Sequence, residues 1–109
     1  MGRSLVKGRF LELTLGGFVI FSLALLGWKY YSFGYYDWDL AFFNQAVWNL
    51  SRGETHSSLF GVDFFGNHAN LIAWPVALLH RLSPHPMLLV ALKVLSVAGA
   101  GWFVFRYAE

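Results

Sequence analysis

The chain contains no cysteine, which excludes a disulfide framework and any thiolate-ligated metal centre. Charge is scarce too. Only 13% of the 109 residues are Asp, Glu, Lys or Arg, too few to give a compact globule of this length a water-facing surface. The net charge of +2 forms no basic stripe, so nucleic acid is not an expected partner. No P-loop, dinucleotide fingerprint, nucleophile elbow or HExxH zinc motif is present. Neither is there an internal repeat or a low-complexity segment.

What the chain does hold is apolar. Hydrophobic residues make up 57% and aromatic residues 19%, more than a soluble domain of this size usually carries. The charges thin out in two tracts. The first, LTLGGFVIFSLALLGW, has no ionisable side chain and leads into Lys29, Tyr30 and Tyr31. With that aromatic margin it reaches the roughly 20 residues a helix needs to cross a bilayer. The second, MLLVALKVLSVAGAGWFVF, is long enough to span but holds Lys93 near its middle. The expected fold class is therefore an all-α membrane protein, with two transmembrane helices joined by an outer loop carrying short interfacial helices. Residues 1–12 form a basic N-terminus, 13–32 the first span, 33–86 the loop, 87–105 the second span and 106–109 the end.

Arg3, Lys7 and Arg9 precede the first span and Arg106 follows the second, whereas Asp37, Asp39, Glu54 and Asp63 lie between. The positive-inside rule then places both termini in the cytoplasm and the loop on the outer face. A cleaved signal peptide, with small residues at Ser32 and Gly34, competes for the N-terminus. The length of the apolar run and the aromatic cluster after it favour a retained span.

Within the loop, Asp39 to Leu50 predicts a short helix with Asp37 or Asp39 as its cap and Ser51, Arg52 and Gly53 as its stop. Gly53 to Asn67 predicts an irregular loop. Leu71 to Leu82, containing Pro75, is too short to span and predicts an interfacial or re-entrant helix. Ser83 and Pro84 read as a cap and first-turn proline for the second span.

DLAFFNQAVW, Asp39 to Trp48, resembles the opening signature of a bacterial and archaeal family of predicted polytopic membrane proteins, the domain-of-unknown-function 2079 family. Asp39, Phe43, Gln45 and Trp48 stand at the matching positions. The later HANLIAWPVALLHRLSPHPMLLVALKVL resembles the family's next block, and the similarity runs from about Phe33 to the C-terminus. The family in turn is similar to the GT-C integral-membrane glycosyltransferases, which take sugars from polyprenyl-phosphate carriers and use an acid in the first outer loop. That resemblance implies Asp39 as the catalytic acid and a polyprenyl-phosphate sugar as ligand. It also implies that the chain is the N-terminal part of a longer protein with further spans. Asp37-Trp38-Asp39 resembles a DxD motif, for which a divalent metal ion is the implied cofactor. Asn44 stands where the family usually has an acid, Ala41 where it often has Gly, and Lys93 roughly where it often has Gln. A metal site needing an acid at position 44 lacks it here.

The residues can also be read physically, each with a structural alternative beside the functional one. Sugar transfer to a hydroxyl needs a base, and Asp39 is the acid placed to supply one; otherwise it caps a helix, stabilising it by about 1 kcal/mol. Asp37 and Gln45 are candidate substrate-binding residues, their alternatives being solvated or water-facing positions at the aromatic margin. His68, in GNHAN, is a candidate phosphate partner, base or metal ligand, or else the cap of the next helix. Lys93 at mid-span costs about 3 kcal/mol unless it faces an anion, a carboxylate or a cavity, or snorkels to the surface. His80 and Arg81 read as headgroup neighbours. Asn49-Leu50-Ser51 fits a glycosylation acceptor but falls within a predicted helix. Two functions follow: a polyprenyl-phosphate-dependent glycosyltransferase, or a noncatalytic two-span protein that assembles with other membrane subunits through its aromatic loop and small-residue faces.

Overall fold

The computed structural model describes residues 2–35, 38–59, 61–67 and 70–108. They form two units, residues 1–34 with 90–109, and residues 35–89.

The first unit contains α1 (Gly2–Tyr31) and most of α5 (Pro86–Ala108). The helix α1 begins well before the expected boundary at residue 13, because nothing in GRSLVKGRFLEL, which has no proline, interrupts it. Val6–Tyr31 and Pro86–Ala108 are each long and apolar enough to cross a membrane. The 26 residues of the first extend about 39 Å, beyond a hydrocarbon core of about 30 Å. Two hydroxyls inside the spans are satisfied locally: Thr14 Oγ1 donates to Phe10 O at 2.8 Å and Ser96 Oγ to Leu92 O at 2.7 Å. Aromatic residues mark the C-terminal ends, with Tyr30 against Tyr31 at 5.2 Å and Arg106 over the Trp102 ring at 5.4 Å.

The first helix ends in a tight reversal. Phe33 takes a left-handed φ of 55°, and the amide of Gly34 reaches back to Lys29 O at 2.8 Å. This is the turn by which helices commonly stop, with phenylalanine where glycine is usual.

The second unit is built on α2 (Trp38–Ser51). The helix α2 stops as expected, at Gly53 with φ 82°, whose amide donates to Leu50 O at 2.9 Å. Residues 53–67, expected to be irregular, instead contain an antiparallel pair, β1 (His56–Ser57) and β2 (Val62–Asp63), followed by a single turn of helix, α3 (Phe64–Asn67). His56 opposes Asp63 and Ser57 opposes Val62. Asp63 organises this corner: its Oδ1 accepts the Phe65 amide at 2.9 Å and its Oδ2 accepts the Thr55 hydroxyl. The Thr55 hydrogen bond holds its carboxyl below the ordinary range.

Packing follows the helical period. Phe42, Ala46 and Leu50 form one stripe of α2, and Ala73 and Ala77 one stripe of α4 (Ala73–Leu82). Alanines on α4 permit close approach, and Phe64, 1% exposed, completes the core. An aromatic series continues outward, with Phe42 and Phe64 centroids 6.0 Å apart and Phe65 stacked on Trp74 at 5.8 Å.

The outer face of α4 is inverted relative to a soluble helix. Its buried side presents Ala73, Ala77 and His80, while Trp74, Leu78 and Leu82 are exposed. Leu82 is 84% exposed. Large apolar side chains point out and small or polar ones point in, a face that an apolar environment would cover.

The second span is capped two residues later than expected. His85 Nδ1 accepts the Met87 amide at 3.1 Å and His85 O accepts Leu88 N at 2.9 Å, so Pro86, not Pro84, is the first-turn proline. Pro86 suits that position because its missing amide would have had no intrahelical partner.

Candidate functional site

Of the sequence candidates, Asp39 and Gln45 lie on α2 of the second unit and Lys93 on α5 of the first. Asp39 is exposed in the first turn of α2. That turn begins at Trp38, so Asp39 lies within the helix and is not the residue preceding it. Its carboxylate complements the positive helix end, and no side-chain hydrogen bond to it occurs among the described residues. Asp37 and His68 lie outside the described residues.

Gln45 is engaged at both ends of its amide. Its Nε2 donates to Ser58 Oγ at 2.7 Å, and its Oε1 accepts from Ser57 Oγ at 3.2 Å. Gln45 therefore ties α2 to β1 and the turn after it. Asn49, buried one turn further on, donates from Nδ2 to His56 O at 2.8 Å. Lys93 belongs to the other unit, where it is exposed on α5 and makes no hydrogen bond or ion pair among the described residues.

The most buried polar side chains are Ser57 and His80, each 1% exposed. His80, in the last turn of α4, donates Nε2–H to Asn44 Oδ1 at 3.0 Å. Its Nδ1 is buried with no partner. Burial lowers its pKa from the ordinary value of 6.5, because a low-dielectric setting disfavours the imidazolium.

His80 also lines an open cleft of about 710 Å³ with Trp48, Ser51, Arg52, Arg81 and Pro84. The cleft lies where the C-terminal ends of α2 and α4 come together. Arg52 Cζ sits 3.8 Å from the centroid of the Trp48 ring, a cation–π arrangement. Asp39 is at the other end of α2, about 18 Å from Ser51 along the helix axis.

Among the described residues no group of three His, Asp or Glu side chains converges to hold a metal ion.

The family of predicted membrane proteins DUF2079 matches residues 29–109. The chain belongs to this family. It is accordingly an all-α membrane protein with two spans, placed in a lipid bilayer. Neither the curated proteins nor the solved structures gave a match. In this DUF2079 chain the family-like stretch DLAFFNQAVW falls wholly on α2. Its Asn44 meets His80 and its Gln45 meets Ser57 and Ser58.

Sequence reasoning separated residues that the fold unites. Asn44, His80 and Arg52 come from distant positions, and no spacing rule links them. The visible signal was narrower: the basic pair His80-Arg81 at the end of an apolar helix, and Arg52 just past the end of another.

Proposed function

We propose that this DUF2079 chain contributes the first outer-face acid of a membrane glycosyltransferase that takes its sugar from a polyprenyl-phosphate carrier. The observation supporting this reading is the exposed carboxylate of Asp39 at the positive end of α2, which accepts no side-chain hydrogen bond among the described residues and follows the first span closely in sequence. In the reaction, Asp39 accepts the proton of the acceptor hydroxyl as its oxygen attacks the anomeric carbon. The anomeric C–O bond to the carrier breaks, and polyprenyl phosphate leaves with the electron pair. Gln45 holds the hairpin against α2, and both termini lie on the cytoplasmic side. Asp37, His68 and Lys93 remain candidates for binding donor or acceptor.

The test is transfer from a radiolabelled polyprenyl-phosphate sugar in membranes holding the full-length protein, with wild type and Asp39→Asn at matched expression. A loss of about a hundredfold or more is expected if Asp39 is the base. Equal transfer by the variant would remove Asp39 from the chemistry.

A second reading is supported by a separate observation: a Cβ added at Gly16, Gly17 or Gly99 meets nothing within 4 Å. These flat patches suit close contact with further membrane helices. In that reading the chain is a noncatalytic subunit. It predicts that membranes rich in the protein transfer no sugar from any donor, and that cysteines placed at these glycines cross-link to partner spans.

A further inference from the structure

The cleft between the ends of α2 and α4 takes no part in the reaction proposed above. We propose that it binds a phosphate group, carried by a lipid headgroup or a soluble phosphate, on the guanidinium groups of Arg52 and Arg81.

Charge is the first argument. Each helix C-terminus carries about half a unit of negative charge, so the two ends offset about one of the two arginine charges. The cleft stays net positive. Among the described residues no carboxylate pairs with Arg52 or Arg81. Planar guanidinium forks match phosphate oxygens in pairs.

Preorganisation is the second. The face of Trp48 holds Arg52 at 3.8 Å, which limits the side-chain entropy an incoming anion must remove. Arg81 follows directly on His80, which the core fixes through Asn44.

His80 also lines the cleft and is 1% exposed, so the imidazole fixed on Asn44 forms a rigid wall beside the two arginines.

Position supports the same occupant. Pro84 lines the cleft just before the second span begins at Pro86, and α4 exposes Trp74, Leu78 and Leu82. An interfacial location is where phosphate headgroups are concentrated. The proposal does not rest on sugar transfer, since Asp39 lies at the far end of α2.

The experiment uses the full chain in alkyl maltoside micelles, which carry no phosphate, following the Nε–Hε resonances of Arg52 and Arg81 by NMR. Inorganic phosphate is titrated in one series, and phosphatidylglycerol in another. A saturable shift of both resonances with inorganic phosphate supports a soluble-phosphate site. A shift confined to the phosphatidylglycerol series supports a lipid-headgroup site. No saturable shift in either series overturns the proposal.

In whichever series responds, Arg52→Gln and Arg81→Gln are expected to weaken binding by about tenfold or more each. The His80 ring signals report whether the variants stay folded. Arg106→Gln, at the end of α5, should leave affinity unchanged. Equal affinity in both cleft variants, or an equal loss in Arg106→Gln, would overturn the assignment.

Discussion

His80 donates its Nε2–H to Asn44 Oδ1 at 3.0 Å, joining α4 to α2 across 36 positions of sequence. The acceptor is neutral, so burial is not offset by an opposite charge, and the His80 pKa falls below 6.5. A histidine with a lowered folded-state pKa binds its proton more readily when unfolded. Its contribution to stability is therefore complete above about pH 6.5 and declines as pH falls toward the lowered value. Thermal unfolding in detergent between pH 7.5 and 5 should show this loss. Asn44→Asp puts a carboxylate beside the imidazole, should raise the His80 pKa, and should flatten or reverse the trend. An unchanged pH profile in that variant would contradict the assigned contact.

Phe64 is the largest of the fully buried side chains in the second unit. Phe64→Ala should destabilise that unit by about 3–5 kcal/mol, and Phe64→Leu by distinctly less. Denaturant unfolding followed by near-UV dichroism of the Phe42, Phe43, Phe64 and Phe65 cluster measures both.

Phe33 sits at φ 55° where a Cβ is disfavoured. Phe33→Gly should firm the end of α1 by about 1 kcal/mol, read as slower hydrogen exchange at the amides of Phe33 and Gly34. At Gly34 the opposite holds, since an added Cβ would lie 3.0 Å from Lys29 Cγ and 3.2 Å from Lys29 O. Gly34→Ala should speed exchange at the same amides.

The inverted face of α4 can be tested because the chain has no cysteine of its own. Spin labels on Leu78→Cys and Leu82→Cys should be relaxed more by oxygen than by a water-soluble nickel complex, as expected for side chains in lipid. Labelled Leu59→Cys, exposed after β1, should show the reverse preference. Nickel accessibility at Leu78 and Leu82 equal to that at Leu59 would place α4 in water.

Both spans and the body of α2 were legible in the sequence, because each depends on a local sum. A long apolar run needs an environment without water wherever the rest of the chain lies, and Ser51, Arg52 and Gly53 end α2 through their own backbone preferences. Capping was harder to read. Ser83-Pro84 and His85-Pro86 are both plausible openings for α5, and the choice went to the pair whose imidazole reaches the Met87 amide. The β1–β2 pair was not legible, since two-residue strands carry no usable alternation; Gln45, Asn49 and Thr55 support it from outside.

The side of α4 that turns inward is a different kind of fact. Its sequence contains a small, partly polar stripe and a large apolar one, and in water the large one would be buried. Here the small stripe meets α2, because Phe42, Ala46 and Leu50 with Phe64 fill that space and leave room only for Ala73, Ala77 and His80. The composition of Leu71 to Leu82 was enough to mark a helix too short to span. The pairing of His80 with Asn44, and its place in one cleft with Arg52, depended on packing between segments that no local pattern connects.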